Sequence, residues 1–95
     1  MKKFVMLHYG FEPPTPEIMK AWGAWFEANA DRTIENVGFG GGREISGSGT
    51  TDLPFGPDSI TGFTVIEAED LDEAERIAQD NPHVAGIRVY EVRGS

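Results

Sequence analysis

Histidine and aspartate are the side chains in this sequence whose chemistry suits proton transfer. The chain has two histidines and no cysteine, and His8 lies within an apolar segment. A histidine can accept a proton near neutral pH, particularly where an aspartate such as Asp52 orients its ring. We therefore regard His8 as a candidate general base. The structural alternative is a histidine whose ring is satisfied by a backbone or side-chain partner.

Asp52 lies in the stretch TTDLPFGPDS, where two aspartates flank a Pro-Phe-Gly-Pro core. Such a stretch is either a reactive loop or a turn between two strands. Pro54 and Pro57 fix their own φ angles and lack N–H donors, so the stretch is predicted to be a turn that enters a strand. Asp58 is predicted to be a turn residue.

The second histidine, His83, follows the Asn-Pro pair that ends a predicted helix. We predict that it packs or caps near that turn rather than acting in catalysis. A metal site would need three or four converging ligands, and neither His-x-His nor His-x-x-x-His occurs. The sequence therefore predicts no metal ion and no cofactor.

Three aromatic residues recur at helical spacing and could line a pocket. Trp22, Trp25 and Phe26 share one face of a predicted helix, and cavities for small ligands are mostly apolar. The same spacing is typical of core residues. A core position is therefore the better prediction, and Trp22 and Trp25 are kept as candidate ligand-binding residues, since one of them could lie where the edge of the helix meets a cleft.

The glycine-rich segment GFGGGRE contains a second type of candidate, the cation Arg43. The segment lacks the Lys-Ser/Thr ending of a phosphate-binding loop, and no helix is predicted after it. A flexible or bulged strand is therefore the better prediction. Arg43 could orient a carboxylate ligand in an acidic protein, or it could simply pair with Glu44 or another carboxylate on the surface.

The composition limits the classes of partner. The chain has 95 residues, enough for one small domain, and its formal charge of −8 repels phosphate backbones and anionic membrane surfaces. The run MKKFVMLHYGFE is too interrupted for a signal peptide, and no stretch is long enough to cross a membrane. We predict no nucleic-acid or membrane partner. The absence of cysteine suits a cytoplasmic protein.

Alternating and helical patterns define the elements that must position these residues. Residues 2–9 alternate at the period of a strand, and Thr15 and Pro16 begin a helix. Asp70 and Glu73 form the capping pattern of a second helix, which Asn81-Pro82 ends. The predicted elements are a strand at 2–9, a helix at 16–30, a strand at 33–46, a loop at 46–59, a strand at 60–68, a helix after Asp70 and a strand at 84–92.

This order predicts an α+β fold of ferredoxin-like βαββαβ type, with two helices on one face of an antiparallel sheet. Three strands carry apolar residues on both faces, so the face without helices would expose a large apolar patch. We predict that a second copy covers it. The expected assembly is a homodimer with its two sheets face to face, as in a dimeric α/β barrel.

Three segments together resemble the YCII-related domain family, including its DGPF branch: MKKFVMLHYG, DLPF leading into GFTVIEAEDLDEAERIA, and DNPHVAGIRVYEVR. Asp52, Pro54 and Phe55 match the DGPF motif, whereas Leu53 stands where the motif has glycine. The resemblance implies a cleft beside a dimer interface, where a His-Asp pair is suspected in some members, and through the motif it makes Asp52 and Phe55 candidate site residues. A histidine on the first helix, suspected to act in the YCII branch, has no counterpart here.

The resemblance and the residues lead to three functional hypotheses. The first is a small organic ligand bound in a cleft near the dimer interface, with acid–base chemistry by His8 and Asp52 and with Trp22, Trp25, Arg43 and Phe55 contacting the ligand. The second is a ligand-sensing or protein-interaction module of the same fold without catalysis. The third is a cofactor-free enzyme similar to the monooxygenases of the dimeric barrel type.

Overall fold

The computed structural model describes residues 1–10, 15–82 and 86–94, which form six strands and two helices. Along the chain, a strand and a helix come first, four strands follow, and a helix and a strand come last. Their bounds are β1 Lys2–Tyr9, α1 Pro16–Ala28, β2 Thr33–Gly38, β3 Gly42–Ser46, β4 Gly49–Leu53, β5 Ile60–Ala68, α2 Leu71–Gln79 and β6 Gly86–Glu91.

Four strands form one sheet in the order β2-β5-β1-β6, with every neighbouring pair antiparallel. β1 therefore lies at the centre beside β5, and β2 and β6 are the edges. The two helices pack on this sheet, which confirms the α+β prediction and the ferredoxin-like order of its four main strands. The predicted bounds of β5, 60–68, agree with the structure.

The alternation of β1 separates two chemically different faces. Phe4 and Met6 are fully buried, and His8 joins them on the side that the helices cover. Val5 and Leu7 point the other way and are half-buried. The core of the protein lies between the helices and the first of these faces, and it also contains Trp25, Ile66, Ala68, Ala74, Ile77 and Ala78.

The first helix begins where its capping residues predict and ends earlier than predicted. The Thr15 hydroxyl accepts a hydrogen bond from Ile18 N at 3.2 Å, and Pro16 takes the first helical position. At the other end, the Asn29 side chain donates to Trp25 O at 2.8 Å. The same carbonyl accepts the last helical bond, from Asn29 N at 3.1 Å, and the next N–H, that of Ala30, bonds to Glu27 O at 3.4 Å instead of to Phe26 O, so α1 stops at Ala28 rather than Ala30.

The second helix follows its predicted capping pattern. The Asp70 carboxylate accepts from Glu73 N at 2.8 Å, and the Glu73 carboxylate accepts from Glu69 N at 3.0 Å. The buried side chains Ala74, Ile77 and Ala78 face the sheet. Of the strand predicted at 84–92, the structure gives β6 as Gly86–Glu91, and Val84 lies outside the described residues.

The prediction of one strand at 33–46 followed by a loop at 46–59 was wrong. β2 ends at Gly38, and β3 pairs instead with β4 in a separate two-stranded hairpin. Gly49 takes a φ of +125° after the two-residue turn, a conformation that favours glycine. Residues rich in Gly, Ser and Thr resemble a loop in composition, but here backbone pairing makes them a strand. Every residue of the hairpin is exposed.

One glycine of β5 is required by close packing. A Cβ built on Gly62 would lie 2.5 Å from the carbonyl oxygen of Val37 in β2. Gly62 is also the register partner of His8. The absence of a side chain therefore lets β2 approach β5 at the level of the sheet where His8 is held.

No helix among the described residues is long and apolar enough to span a membrane.

Candidate functional site

His8 lies near the end of β1 on the face of the sheet that the helices cover. Only 8% of its surface is exposed. Its Nε2 atom is 2.8 Å from the hydroxyl oxygen of Thr64, and that hydroxyl donates to Asn36 Oδ1 at 2.9 Å. Strands β1, β5 and β2 thus contribute one residue each to a hydrogen-bonded chain that crosses the sheet.

These hydrogen bonds determine which nitrogen of His8 carries the proton. A hydroxyl group has one proton, and that of Thr64 is donated to Asn36. Thr64 Oγ1 therefore accepts a bond from His8, so the neutral ring is protonated at Nε2 and has a lone pair at Nδ1. Nδ1 is buried and has no hydrogen-bond partner among the residues that the structure describes. Buried polar atoms without partners are rare and often mark a functional position.

Burial also sets the charge of His8. It lowers the pKa of the imidazole from 6.5 to about 4, because the charged ring would lose its hydration. Within the described part of the chain, His8 forms no ion pair that would oppose this effect. At neutral pH the ring is therefore uncharged, and Nδ1 can accept a proton or a hydrogen bond.

An aromatic cluster from α1 lies against His8. The ring of Trp22 meets the imidazole edge-on at a centroid distance of 5.2 Å, and it stacks on Phe26 at 5.5 Å. Trp22 is half-buried, so it links the histidine to the surface of the protein. The structure thus brings together two residues predicted from the sequence, His8 and Trp22.

Trp25 has a different environment from Trp22. It is only 5% exposed, and its indole N–H donates to the backbone oxygen of Ile77 at 3.0 Å. This bond joins α1 to α2 across the core. The structure therefore places Trp25 in the core, as its helical spacing favoured, and not at a ligand-binding surface.

The predicted pair of His8 and Asp52 is not formed within one chain. Asp52 lies on the exposed hairpin, where its carboxylate accepts a hydrogen bond from Arg43 Nε at 3.0 Å. The group that orients the His8 ring is Thr64. The correction has a topological reason, because β4 pairs with β3 in a sheet of its own and His8 lies on the helix-covered face of the other sheet.

The remaining predicted residues lie apart from His8 or outside the described structure. Phe55 follows the hairpin and is 45% exposed. Arg43 pairs on the surface with the carboxylate of Asp52, which agrees with the predicted pairing with Glu44 or another carboxylate. His83 lies outside the described residues. Asp58 is in a turn, as predicted.

Two cavities open on the edge strand β6. One of about 480 Å³ lies at the end of the sheet and is lined by Tyr9, Pro57, Asp58, Gly86, Ile87 and Arg88. The other, of about 350 Å³, is a groove between α2 and β6, lined by Leu71, Glu75, Ala78, Gln79, Ile87 and Val89. Within the described ranges, no three histidine or acidic side chains converge on a position that could hold a metal ion.

Thr64, which holds His8, and Asn36, which holds Thr64, were not predicted from the sequence. A signal for Thr64 was present, because it occupies a core-facing position of β5 between Gly62 and Ile66. A buried hydroxyl needs a hydrogen-bond partner, so a polar residue at such a position indicates a polar neighbour. The identity of that neighbour depends on register across two strands, which the local pattern does not contain.

Comparison with known proteins gives both a family and a fold. The model of the YCII-related domain family matches residues 17–94, a range that begins after β1 and therefore excludes His8. No curated protein matches the sequence. One similar solved structure is that of 5-chloro-2-hydroxyhydroquinone dehydrochlorinase from Burkholderia phenoliruptrix AC1100, in complex with 2,5-dihydroxybenzoquinone.

That structure shares 16% sequence identity with the chain at a TM-score of 0.60, and the alignment covers 98% of this chain and 95% of the other. At this identity the similarity establishes the fold alone. The family match covers most of the chain, and the fold agrees with it. The chain therefore belongs to the YCII-related domain family.

Proposed function

We propose that the chain binds a small organic ligand beside His8, with Nδ1 of the neutral imidazole accepting a proton from it. The observation that carries this proposal is the buried Nδ1 lone pair, which has no hydrogen-bond partner among the described residues. The bond from Nε2 to Thr64 fixes the tautomer. A ligand that donated an O–H group to Nδ1 would satisfy an atom that the described residues leave unpaired.

The position of Trp22 indicates the shape of such a ligand. Trp22 contacts His8 edge-on and is itself partly exposed, so a ligand that approached the histidine from the side of α1 would contact the indole as well. A planar ring can stack on an indole while its hydroxyl group approaches the histidine. These contacts favour a hydroxylated ring compound.

The structural neighbour supports the same chemical class. Its complex contains a dihydroxylated quinone, and it is named as a dehydrochlorinase of a chlorinated hydroxyhydroquinone. Loss of HCl from such a ring removes a proton as well as chloride, and the neutral His8 ring has the lone pair that accepting a proton requires. The neighbour supports the proposal through its shared fold. The contacts that His8 makes with Thr64 and Trp22 in this chain carry the proposal itself.

The test uses the neighbour's compounds as probes. Binding of 2,5-dihydroxybenzoquinone would be followed by quenching of tryptophan fluorescence, and turnover by chloride release from 5-chloro-2-hydroxyhydroquinone. We expect His8→Ala to lower turnover by about 10²-fold or more. His83→Ala, which alters the other histidine, is the control and should leave turnover unchanged. Equal turnover by the wild type and His8→Ala would refute a role for His8 in proton transfer.

A second candidate function is ligand binding without catalysis. It is favoured by the low accessibility of His8 and by the absence, within the described structure, of a carboxylate hydrogen-bonded to its ring. Under this alternative, His8 is a hydrogen-bond acceptor only. The probe would then bind to the wild type and bind more weakly to His8→Ala, and no chloride would be released by either protein.

We also propose that a second copy covers the face of the sheet without helices. That face presents half-buried apolar side chains on β1 and β5 that are adjacent in the register, such as Val5 opposite Val65 and Leu7 opposite Phe63. Tyr90 of the edge strand continues the patch. Apolar patches of this extent usually mark an interface.

Light scattering should give a mass of about twice 10.4 kDa at micromolar concentration. Val65→Arg should convert the protein to a monomer, and Ile45→Arg on the exposed hairpin is the matched control. A monomeric wild type would refute the assembly.

The hairpin region also contributes proposed ligand contacts, namely Arg43, Asp52 and Phe55. The site beside His8 does not depend on them.

A further inference from the structure

The cavity of about 480 Å³ at the end of the sheet contains opposite charges that do not neutralise each other. Arg88 and Asp58 both line it. The ion pairs within the described residues are those of Lys2 with Glu91 and of Arg43 with Asp52, so Arg88 and Asp58 are not paired with each other. The cation and the anion lie on the walls of one cavity, too far apart to form an ion pair. The space between them can hold a molecule that carries both charges.

The cationic wall is built by two neighbouring strands. Tyr9 ends β1, and Arg88 lies on β6 beside it, with Gly86 as the register partner of Tyr9. The guanidinium of Arg88 is 4.9 Å from the centre of the Tyr9 ring. This contact restricts the guanidinium without consuming its N–H donors, which can bind a carboxylate through two bonds.

The anionic wall is held by hydrogen bonds on both sides of Asp58. Ser59 O accepts from Gly10 N at 2.8 Å, which ties the loop to the end of β1. The Ser59 hydroxyl accepts from Gly56 N at 2.8 Å and donates to Pro54 O at 2.8 Å. The turn that carries Asp58 is therefore fixed relative to the strand that carries Tyr9.

From this geometry we propose that the cavity binds a free α-amino acid, with its carboxylate on Arg88 and its ammonium group on Asp58. The volume lies within the range of small-molecule sites. The net charge of −8 disfavours a simple anion at long range, whereas an amino acid has no net charge at neutral pH. Tyr9 and Pro57 provide aromatic and aliphatic ring surface for the rest of the molecule.

This site is separate from the one proposed beside His8. Tyr9 and Arg88 project from the face of the sheet without helices, and His8 projects from the other face. The two sites can therefore be tested with separate variants. Because the cavity borders the face on which we propose that a second copy packs, amino-acid binding is measured on the assembly that light scattering finds. Failure of amino-acid binding would leave the proton-acceptor role of His8 intact, and the reverse also holds.

Isothermal titration of the full chain with L-alanine, propionate and ethylamine provides the test. Propionate carries the carboxylate alone, and ethylamine carries the ammonium group alone. We expect L-alanine to bind at least about tenfold more tightly than either compound, because only L-alanine engages both charged walls. Propionate binding as tightly as L-alanine, or no binding of L-alanine, would overturn the proposal.

Two charge-neutral substitutions assign the contacts. Arg88→Gln should weaken binding of both L-alanine and propionate by about tenfold or more, whereas Asp58→Asn should weaken L-alanine alone. Arg93→Gln and Asp72→Asn are matched controls, since both residues are exposed and neither is among the cavity-lining residues. Unchanged L-alanine binding in Arg88→Gln would overturn the site, and unchanged binding in Asp58→Asn would overturn the zwitterionic ligand. Circular dichroism would confirm that each variant is folded.

Discussion

The protein contains two polar contacts of similar length in opposite environments. One is the bond of 2.8 Å between His8 and Thr64, beneath the helices at the centre of the sheet. The other is the ion pair of 3.0 Å between Arg43 and Asp52 on the hairpin, whose side chains are 72% and 86% exposed. Judged by distance alone, the two contacts would be equally strong. Burial lowers the pKa of His8, and one of its nitrogens has no partner among the residues that the structure describes, whereas the hairpin pair is exposed to water.

The comparison shows why the aspartate predicted as the partner of His8 is not its partner. A carboxylate on an exposed hairpin is readily satisfied by a nearby arginine and by water. A histidine in the core needs a partner that tolerates burial, and a neutral hydroxyl costs less to bury than a charged group. The four predictions that follow test this contrast, beginning with the largest expected effect.

Removal of apolar volume should affect the two regions very differently. Phe4 is fully buried on β1, on the same face of the sheet as His8, whereas Ile45 on the hairpin is 81% exposed. We expect Phe4→Ala to lower the free energy of unfolding by about 3–5 kcal/mol and Ile45→Ala to change it by less than about 0.5 kcal/mol. Urea unfolding at one fixed protein concentration measures both. Equal losses would show that the hairpin is as well packed as the core.

Acid should weaken the buried region through His8. Its pKa is about 4 in the folded state and 6.5 as a free group, so the unfolded chain binds more protons between these values. Stability from this group is therefore full above pH 6.5 and is lost as the pH falls towards 4, by up to about 3 kcal/mol.

Unfolding curves of the wild type and His8→Gln, measured from pH 7.5 to 4, isolate this contribution because the carboxylates are common to both proteins. We expect the wild type to lose more stability than the variant across this range. Parallel pH profiles would show that the ring is not desolvated in solution.

Removal of the hydroxyl that holds His8 should have an intermediate effect. Thr64→Val keeps the shape of the side chain but deprives both His8 Nε2 and Asn36 of a partner, so we expect a loss of about 1–3 kcal/mol in the free energy of unfolding. Thr51→Val on the hairpin is the matched control and should be close to neutral. The ¹⁵N spectrum of His8 provides a second readout, since Nε2 should be the protonated nitrogen in the wild type. A proton on Nδ1 instead would contradict the assigned tautomer.

The smallest expected effect is that of the exposed ion pair. Arg43→Gln should reduce the free energy of unfolding by less than about 1 kcal/mol, and added salt should reduce the difference further. Unfolding in low and high salt measures it. A loss as large as that of Thr64→Val would mean that the pair is buried in solution, as it would be if the hairpin contacted a second copy.

The sequence was most informative where the signal is local. The bounds of β5 follow from alternation between turn residues, and the start of α1 follows from Thr15 and Pro16. The hairpin was missed because its pairing joins Gly42 to Leu53 and Arg43 to Asp52, and its glycines and threonines carry no apolar alternation. The partner of His8 lies 56 residues away in sequence and was not predictable from the local pattern.

The central position of β1 also affects the order in which the protein can fold. Its register joins Lys2 to Ala68 of β5 and Tyr9 to Gly86 of β6, so both neighbours are synthesised long after it. Until they leave the ribosome, an apolar strand remains without partners, and such distant pairings form slowly. The exposed charges of Lys2 and Lys3 at the head of this strand are of the kind that hinder premature association. The environment of His8 is therefore completed late, when the strands on both sides of it are in place.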